Sequence, residues 1–111
     1  MFRSKIDAAA ESIGVDVSYS IDLGKARELC QTLKPAVILA DLSDASFPSS
    51  DVARMARESV PFALLTGFAS HTELKTLSAA RDAGFGRVLS RSEFTVQLPA
   101  LLSAALDRFA G

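Results

Sequence analysis

Three residues of this chain combine a chemically capable side chain with a position directly after an apolar run. Asp41 follows AVILA, Thr66 follows FALL, and Arg91 follows VLS. An aspartyl carboxylate can attack a phosphoryl group when cations neutralise the incoming charge, and a hydroxyl can then bond to a phosphoryl oxygen. The three residue types therefore suit phosphoryl chemistry, provided that the fold brings them together.

The segments that would position these residues alternate between helical and strand patterns. Residues 15–21 alternate apolar and polar side chains, as a half-buried strand does, whereas residues 36–40 and 62–65 are apolar throughout, as strands covered on both faces are. Asp22 is a suitable N-cap, Ser70 and Glu73 have the spacing of a capping box, and Gly84 can end a helix. The predicted elements are helix 2–13, strand 15–21, a helix between Asp22 and Pro35, strand 36–40, helix 51–59, strand 62–65, a helix from the capping box to Gly84, strand 87–90 and helix 96–109.

This order predicts an α/β fold, a doubly wound parallel sheet of four strands with five helices on its two faces. The carboxyl ends of parallel strands meet at one edge, so Asp41, Thr66 and Arg91 should converge there. Helical spacing places Phe2 and Phe109 among the inward residues of the first and last helices. Pro99 should fall in the first turn of the last helix, where proline is tolerated.

Length and composition favour one domain over residues 1–111. The chain is 49% hydrophobic and 23% charged, and 12 basic against 13 acidic residues leave a net charge of −1. That charge creates no field to attract nucleic acid or an anionic membrane. The lone Cys30 excludes an internal disulfide and disfavours a zinc site. Since no signal peptide or membrane-spanning run is visible, we expect a cytoplasmic protein.

Three stretches of the sequence resemble the receiver domain of two-component response regulators. Residues 35–42 (PAVILADL) resemble the family's third strand with the phospho-accepting aspartate at its end. Residues 60–67 (VPFALLTG) resemble the fourth strand, which ends in a switch hydroxyl followed by a small residue. Residues 83–92 (AGFGRVLSRS) resemble the stretch that leads through the fifth strand to a Lys-Pro pair. The resemblance covers nearly the whole chain and implies a flavodoxin-like fold.

Position by position, the resemblance makes Asp41 the phospho-acceptor candidate, Thr66 the switch hydroxyl candidate and Arg91 the cation in the lysine position. Ser92 stands where the family has proline, and Val88 where it has the switch aromatic. In the family, Mg²⁺ is held largely by two acidic residues at the end of the first strand. The resemblance places the start of this chain inside the first helix, so the N-terminal strand and its acids have no counterpart here.

These departures predict a pseudo-receiver: a stand-alone protein–protein interaction module that works without phosphorylation, catalytic residues or a cofactor. The alternative is a working phosphorelay receiver that accepts phosphate on Asp41 with Mg²⁺ and has lost its first strand through a misplaced start. A start upstream of Met1 is the explanation we favour for the missing strand; direct pairing of the flanking strands and a strand from another chain are the others. A hydrolase or transferase is disfavoured, since no nucleophile–base pair, phosphate-binding glycine loop or metal motif is visible.

In receivers, the face around the fourth helix and fifth strand docks partners or dimerises. The resemblance makes Phe68, Leu77 and Arg87 candidates for such an interaction face, with Phe68 expected in an exposed loop. The expected partner is a protein, namely a histidine kinase, a downstream effector or a second copy of the chain, and neither nucleic acid nor a membrane.

Overall fold

Three strands and five helices make up the fold in the computed structural model, which describes the backbone of residues 2–110 and the side chains of residues 3–106. The helices are α1 (Phe2–Ile13), α2 (Leu23–Leu33), α3 (Ser49–Ser59), α4 (Leu74–Ala83) and α5 (Arg91–Ala110). The strands are β1 (Val37–Asp41), β2 (Leu64–Ala69) and β3 (Arg87–Ser90). The predicted inward positions of Phe2 and Phe109 lie outside the described side chains.

Three predicted helix-boundary signals are confirmed: those at the end of α1, the start of α2 and the end of α4. The predicted capping box of Ser70 and Glu73 is incomplete, since no side chain caps α4 at its start. Gly14 adopts a φ of 88° and its N–H donates to the Ala10 carbonyl at 2.8 Å, which closes α1. The Asp22 carboxylate caps α2 by accepting from the Lys25 N–H at 2.8 Å. Gly84 closes α4 with a φ of 99°, a conformation that costs glycine little. Local sequence therefore sets these helix boundaries.

The sheet is parallel throughout, in the order β1-β2-β3. In the register of the ladder, Asp41 lies opposite Phe68, while Ala69 lies opposite Ser90. The carboxyl ends of all three strands consequently meet at one edge of the sheet. The predicted α/β fold with a parallel sheet is thus observed, with three strands in place of the expected four. Both crossover helices, α3 and α4, lie on the same face, so the described strands show no reversal of strand order of the kind that a doubly wound sheet has.

Helices cover both faces of the sheet and bury three apolar clusters. On one face, α1 and α5 pack over Phe68 and Leu89; we call this cluster the α1/α5 core. On the other face, Leu77 of α4 and Val52 of α3 belong to the α3/α4 core. Beside it, Cys30 of α2 packs on Met55 and Val60 in the α2/α3 core, and burial raises the pKa of the Cys30 thiol. Two covered faces explain why β1 and β2 are apolar on both sides.

The strand predicted over residues 15–21 is wrong. These residues form no ladder with any described strand, although Val15, Val17 and Tyr19 are half-buried against the α1/α5 core and the polar residues between them are exposed. The alternating pattern therefore reported one-sided burial correctly. Burial alone does not make a strand, because a strand also needs hydrogen-bonded neighbours.

β2 begins later and ends later than the predicted strand 62–65, and it runs from Leu64 through Thr66 to Ala69. The apolar run stops before Thr66, which is why the sequence predicts a strand end at that residue. The glycine that follows Thr66 serves close packing: a Cβ at Gly67 would lie 2.7 Å from Leu42 Cδ1 and 2.9 Å from two ring atoms of Phe85. A glycine inside a strand is typical of such close approach.

The last helix begins earlier than predicted, at Arg91. Pro99 accordingly lies in the helix interior and not in its first turn, so the Thr95 carbonyl lacks the N–H that would otherwise bond it. Pro99 is exposed, where water can reach the backbone. Among the described residues, no helix combines the length and the apolar character that crossing a bilayer requires.

Candidate functional site

The carboxyl edge of the sheet carries a group of hydrogen-bonded polar side chains from three loops. Asp41 ends β1 and Ser43 follows it, Glu73 lies between β2 and α4, and Arg91 begins α5 directly after β3. We call these four residues the polar cluster. The predicted convergence of Asp41 and Arg91 is confirmed, since Arg91 Nη2 lies 3.8 Å from Asp41 Oδ1.

The Asp41 carboxylate is held at the strand end by the loop that follows it. Its Oδ1 accepts a hydrogen bond from the Ser43 backbone N–H at 3.1 Å, and the Asp44 N–H donates to the Asp41 carbonyl at 3.2 Å. The Asp41 side chain keeps 46% of its surface exposed. A carboxylate so exposed interacts with Arg91 through solvent-screened charge, and such pairs contribute about 0–1 kcal/mol to stability.

Ser43 links the cation to the second carboxylate of the cluster. Arg91 Nη2 donates to Ser43 Oγ at 3.0 Å, and Ser43 Oγ donates to Glu73 Oε2 at 2.7 Å. The same Glu73 oxygen also accepts from the Ser70 backbone N–H at 3.1 Å. The cluster therefore ties the three loops of the carboxyl edge together through one serine hydroxyl.

A complete capping box positions Arg91. The Ser90 N–H donates to Glu93 Oε1 at 2.9 Å, and the Glu93 N–H donates to Ser90 Oγ at 3.2 Å. The hydrogen bond from the Ser90 N–H to the Glu93 carboxylate, followed by the interaction of that carboxylate with the Ser90 side chain, lowers the pKa of Glu93. Because the box starts α5 one residue after the strand, Arg91 is fixed at the sheet edge and faces Asp41 and Ser43.

Thr66 is not part of the polar cluster, which corrects its placement as a strand-end hydroxyl. It lies inside β2 opposite Leu39 and Arg87, and its side chain is 0% exposed. Its Oγ1 has no hydrogen-bond partner among the described residues. β2 ends beyond Thr66, so the hydroxyl that follows this strand is that of Ser70, which lies 2.9 Å from the Thr72 hydroxyl.

Two of the three candidates for an interaction face are buried. Phe68 is a strand residue, not a loop residue, and its ring stacks on Phe94 with centroids 4.1 Å apart. Leu77 packs into the α3/α4 core. Both therefore serve the packing of the sheet against its helices. Arg87 is exposed at the start of β3 and donates to Gln97 Oε1 at 3.1 Å.

The two carboxylates of the polar cluster interact with protein groups at the edge where a phosphorelay receiver would hold a divalent cation. Mg²⁺ demands oxygen ligands in near-octahedral geometry. No group of three or more His, Cys, Asp or Glu that could hold a metal occurs in the part of the chain that the structure describes. Asp41 faces the guanidinium of Arg91, and Glu73 accepts hydrogen bonds from Ser43 and Ser70.

Sequence reasoning missed Ser43 and assigned Glu73 only a local capping role. The position of Ser43, two residues after a strand-end aspartate, was a usable signal because loops at the carboxyl edge face the crevice of such sheets. No local signal predicts the second contact of Glu73, since its partner Ser43 is 30 residues away.

No protein-family model matches this chain, and a search of curated proteins finds no match either.

Proposed function

We propose that this chain is a receiver-like interaction module that docks a partner protein without being phosphorylated. The support from the fold is its three-layer α/β architecture with a parallel sheet, whose carboxyl edge brings together an aspartate and a cation. The finer fold assignment, a flavodoxin-like receiver with its N-terminal strand missing, belongs to the same proposal. The expected partner is a histidine kinase, a downstream effector or a second copy.

One observation carries the phosphorylation-independent part of the proposal: the guanidinium of Arg91 lies beside Asp41 and hydrogen bonds to Ser43. A guanidinium is permanently charged and planar, so it supplies a standing counter-charge for a carboxylate. Thr66 cannot reach an anion at the edge without leaving the buried interior of β2. The cluster is thus internally paired and has no described hydroxyl switch in the predicted place.

The rival function, phosphate acceptance on Asp41, is favoured by the exposure of that carboxylate and by its place at the carboxyl edge. The test uses beryllofluoride, a phosphoryl mimic, with Mg²⁺, and follows backbone amide NMR shifts of residues 41–44 and 90–93. We expect no saturable shift in the wild-type chain. A parallel titration with acetyl phosphate and Mg²⁺ should leave the intact mass unchanged.

The matched control is Asp41→Asn, which removes the attacking carboxylate at nearly constant size. Under the proposal, wild type and Asp41→Asn give the same response to both reagents. Saturable shifts or an added phosphoryl mass in wild type, absent from the variant, would establish a working acceptor and overturn the proposal.

The docking part of the proposal is supported by Leu74, which is 71% exposed and directly follows Glu73 of the polar cluster. A photo-crosslinking amino acid in place of Leu74 should give one discrete protein adduct in cells. The control position is Glu11, an exposed residue of α1 on the opposite face of the sheet. Equal adduct patterns at the two positions would contradict docking beside the cluster.

A further inference from the structure

A cavity lies at the amino edge of the sheet, opposite to the edge that carries the polar cluster. It occupies about 200 Å³ between the last turns of α3, the start of β2 and the two glycines Gly84 and Gly86 that precede β3. We call it the amino-edge cavity. No residue of the polar cluster lines it, so a ligand bound here would not touch Asp41.

The wall of the amino-edge cavity is apolar apart from one side chain. Ala56 and Val60 line it from the end of α3, and Ala63 and Leu64 line it from the start of β2. A Cβ at Gly86 would lie 3.3 Å from Leu64 Cδ1, so the glycine keeps this part of the wall open. Since an apolar cavity of about 150 Å³ admits benzene, the amino-edge cavity suits an apolar group of one ring.

Arg57 is the one charged residue among the described residues that line the amino-edge cavity. Its Nη1 donates to the Ala83 carbonyl at 3.2 Å, which holds the guanidinium beside the end of α4. A guanidinium has several N–H donors, and this is the only hydrogen bond that the Arg57 side chain makes with described residues. N–H groups of Arg57 therefore remain for a ligand.

The groups that could otherwise use the charge of Arg57 are already paired. The Ala56 carbonyl at the end of α3 accepts from the Val60 N–H at 2.8 Å. Glu58, the next residue along the chain, pairs with Arg27 of α2 at 3.0 Å. Within the part of the chain that the structure describes, no carboxylate lies within ion-pair distance of Arg57.

From these observations we infer that the amino-edge cavity binds a small organic acid, in which one carboxylate is attached to an apolar group the size of a single ring. The apolar group fills the space between α3 and β2, and the carboxylate accepts hydrogen bonds from Arg57. A guanidinium matches the planar shape of a carboxylate. Sites for small molecules typically combine an apolar lining with a few polar groups that fix the orientation of the ligand.

The test is an NMR titration of the full chain with phenylacetate, followed through backbone amide shifts. We expect saturable shifts at Ala56, Ala63 and Gly86, and none at residues 41–44. Acetate carries the carboxylate without the ring, and phenylacetamide carries the ring without the charge. Each should bind at least about fivefold more weakly than phenylacetate, because each lacks one of the two interactions.

The variant Arg57→Gln tests the role of the charge. Phenylacetate and phenylacetamide should bind this variant with equal affinity, because the preference for the acid depends on the guanidinium. General damage to the fold would weaken both ligands and leave their ratio unchanged. The matched control is Arg54→Gln, since Arg54 lies on α3, pairs with Asp51 at 4.0 Å and does not line the cavity. This control should keep the preference of the wild type.

Three results would overturn the inference. The first is the absence of saturable shifts at the amino-edge cavity with phenylacetate. The second is equal binding of acetate and phenylacetate, which would leave the cavity without a role. The third is a preference for the acid that survives in Arg57→Gln or disappears equally in Arg54→Gln. None of these measurements involves a partner protein or phosphorylation of Asp41, so the inference and the proposed function can fail separately.

Discussion

The chain contains two Ser-x-x-Glu sequences after parallel strands, and they behave differently. Ser90 and Glu93 exchange reciprocal hydrogen bonds, and α5 begins at once at Arg91. Glu73 also bonds back to the Ser70 N–H, but Ser70 Oγ interacts with Thr72 and α4 begins only at Leu74. Glu73 also accepts a hydrogen bond from the Ser43 hydroxyl, a contact that has no counterpart at Glu93 among the described residues.

This comparison shows that the same four-residue pattern can serve a helix end or a contact between loops. At the Ser90 box the carboxylate is used locally and fixes a helix start. At the Ser70 box the carboxylate divides its hydrogen bonds between its own turn and a loop 30 residues earlier. Three hydroxyls near the strands can therefore be compared: that of Ser90 in a complete capping box, that of Ser70 in a partial one, and that of Thr66, which has no hydrogen-bond partner among the described residues.

Removing the unpartnered hydroxyl of Thr66 should change the free energy of unfolding more than any other substitution proposed here. Thr66→Val removes a buried hydroxyl that lacks a hydrogen bond and keeps the branched shape, so we expect stabilisation by about 1–2 kcal/mol. Urea unfolding measures it. The control is Thr95→Val, since the Thr95 hydroxyl donates to the Arg91 carbonyl at 3.0 Å and its loss should not stabilise. A destabilised Thr66→Val protein would show that the hydroxyl has a partner after all.

Breaking the complete box comes next. Ser90→Ala removes the acceptor of the Glu93 N–H, and losing such a cap costs about 1 kcal/mol of unfolding free energy. The exposed neighbour Ser92 provides the control substitution Ser92→Ala, for which we expect almost no change. Equal losses for the two variants would mean that the box does not stabilise α5.

Removing the serine hydroxyl of the partial box should cost less unfolding free energy than removing that of the complete box. In Ser70→Ala the hydroxyl that is lost bonds within its own turn and not to the N–H of Glu73, so we expect a loss of only about 0.5 kcal/mol. The same urea experiment applies, with the exposed Ser78 of α4 as the control position. If Ser70→Ala cost as much as Ser90→Ala, the two boxes would be equivalent and the comparison would fail.

Acid should weaken the complete box in a way that depends on Glu93. Its pKa in the folded state is lowered from the ordinary value of 4.5, so its contribution to stability is present above pH 4.5 and is lost as the pH falls through the lower folded pKa. The Glu93→Gln variant should therefore lose less stability than wild type below pH 4.5. Identical pH profiles of unfolding would contradict this assignment.

The smallest change in stability is expected for Ser43→Ala, within about 0.5 kcal/mol, because Ser43 is exposed. This substitution is informative because it removes the 2.7 Å hydrogen bond from Ser43 to Glu73. The Glu73 carboxylate would then accept hydrogen bonds only from its own turn. Slower amide exchange at Ser70 would report that. Ser46→Ala in the same loop is the control, and faster exchange at Ser70 would show that Ser43 supports the turn instead of competing for it.

Much of the fold could be predicted because local signals and burial agreed. Gly14, Asp22 and Gly84 set helix boundaries by backbone conformation or capping, which neighbouring residues decide. The strand at residues 15–21 failed because its alternation reports one buried face, while a ladder depends on a second strand elsewhere in the chain. The start of α5 was missed although Ser90 and Glu93 showed the capping-box spacing, since Pro99 was placed in the first turn.

The candidate site was predictable only in part. Asp41 and Arg91 meet because both follow parallel strands, and the carboxyl ends of such strands share an edge. Thr66 was misplaced because the apolar run stops before it and the resemblance puts the switch hydroxyl at the strand end, whereas the observed strand continues to Ala69. Long-range packing and long-range hydrogen bonds, such as that of Ser43 with Glu73, leave no mark on the neighbouring sequence.

The tight contact at Gly67 also constrains how this chain can change over evolutionary time. A Cβ at position 67 would collide with both Leu42 and Phe85, so a substitution there requires both of those side chains to shift or to be smaller. Natural variants should therefore keep glycine at this position or change it together with positions 42 and 85. Because Gly67 has no Cβ, residues in the loop after β1 and in the segment before β3 would then vary together with it.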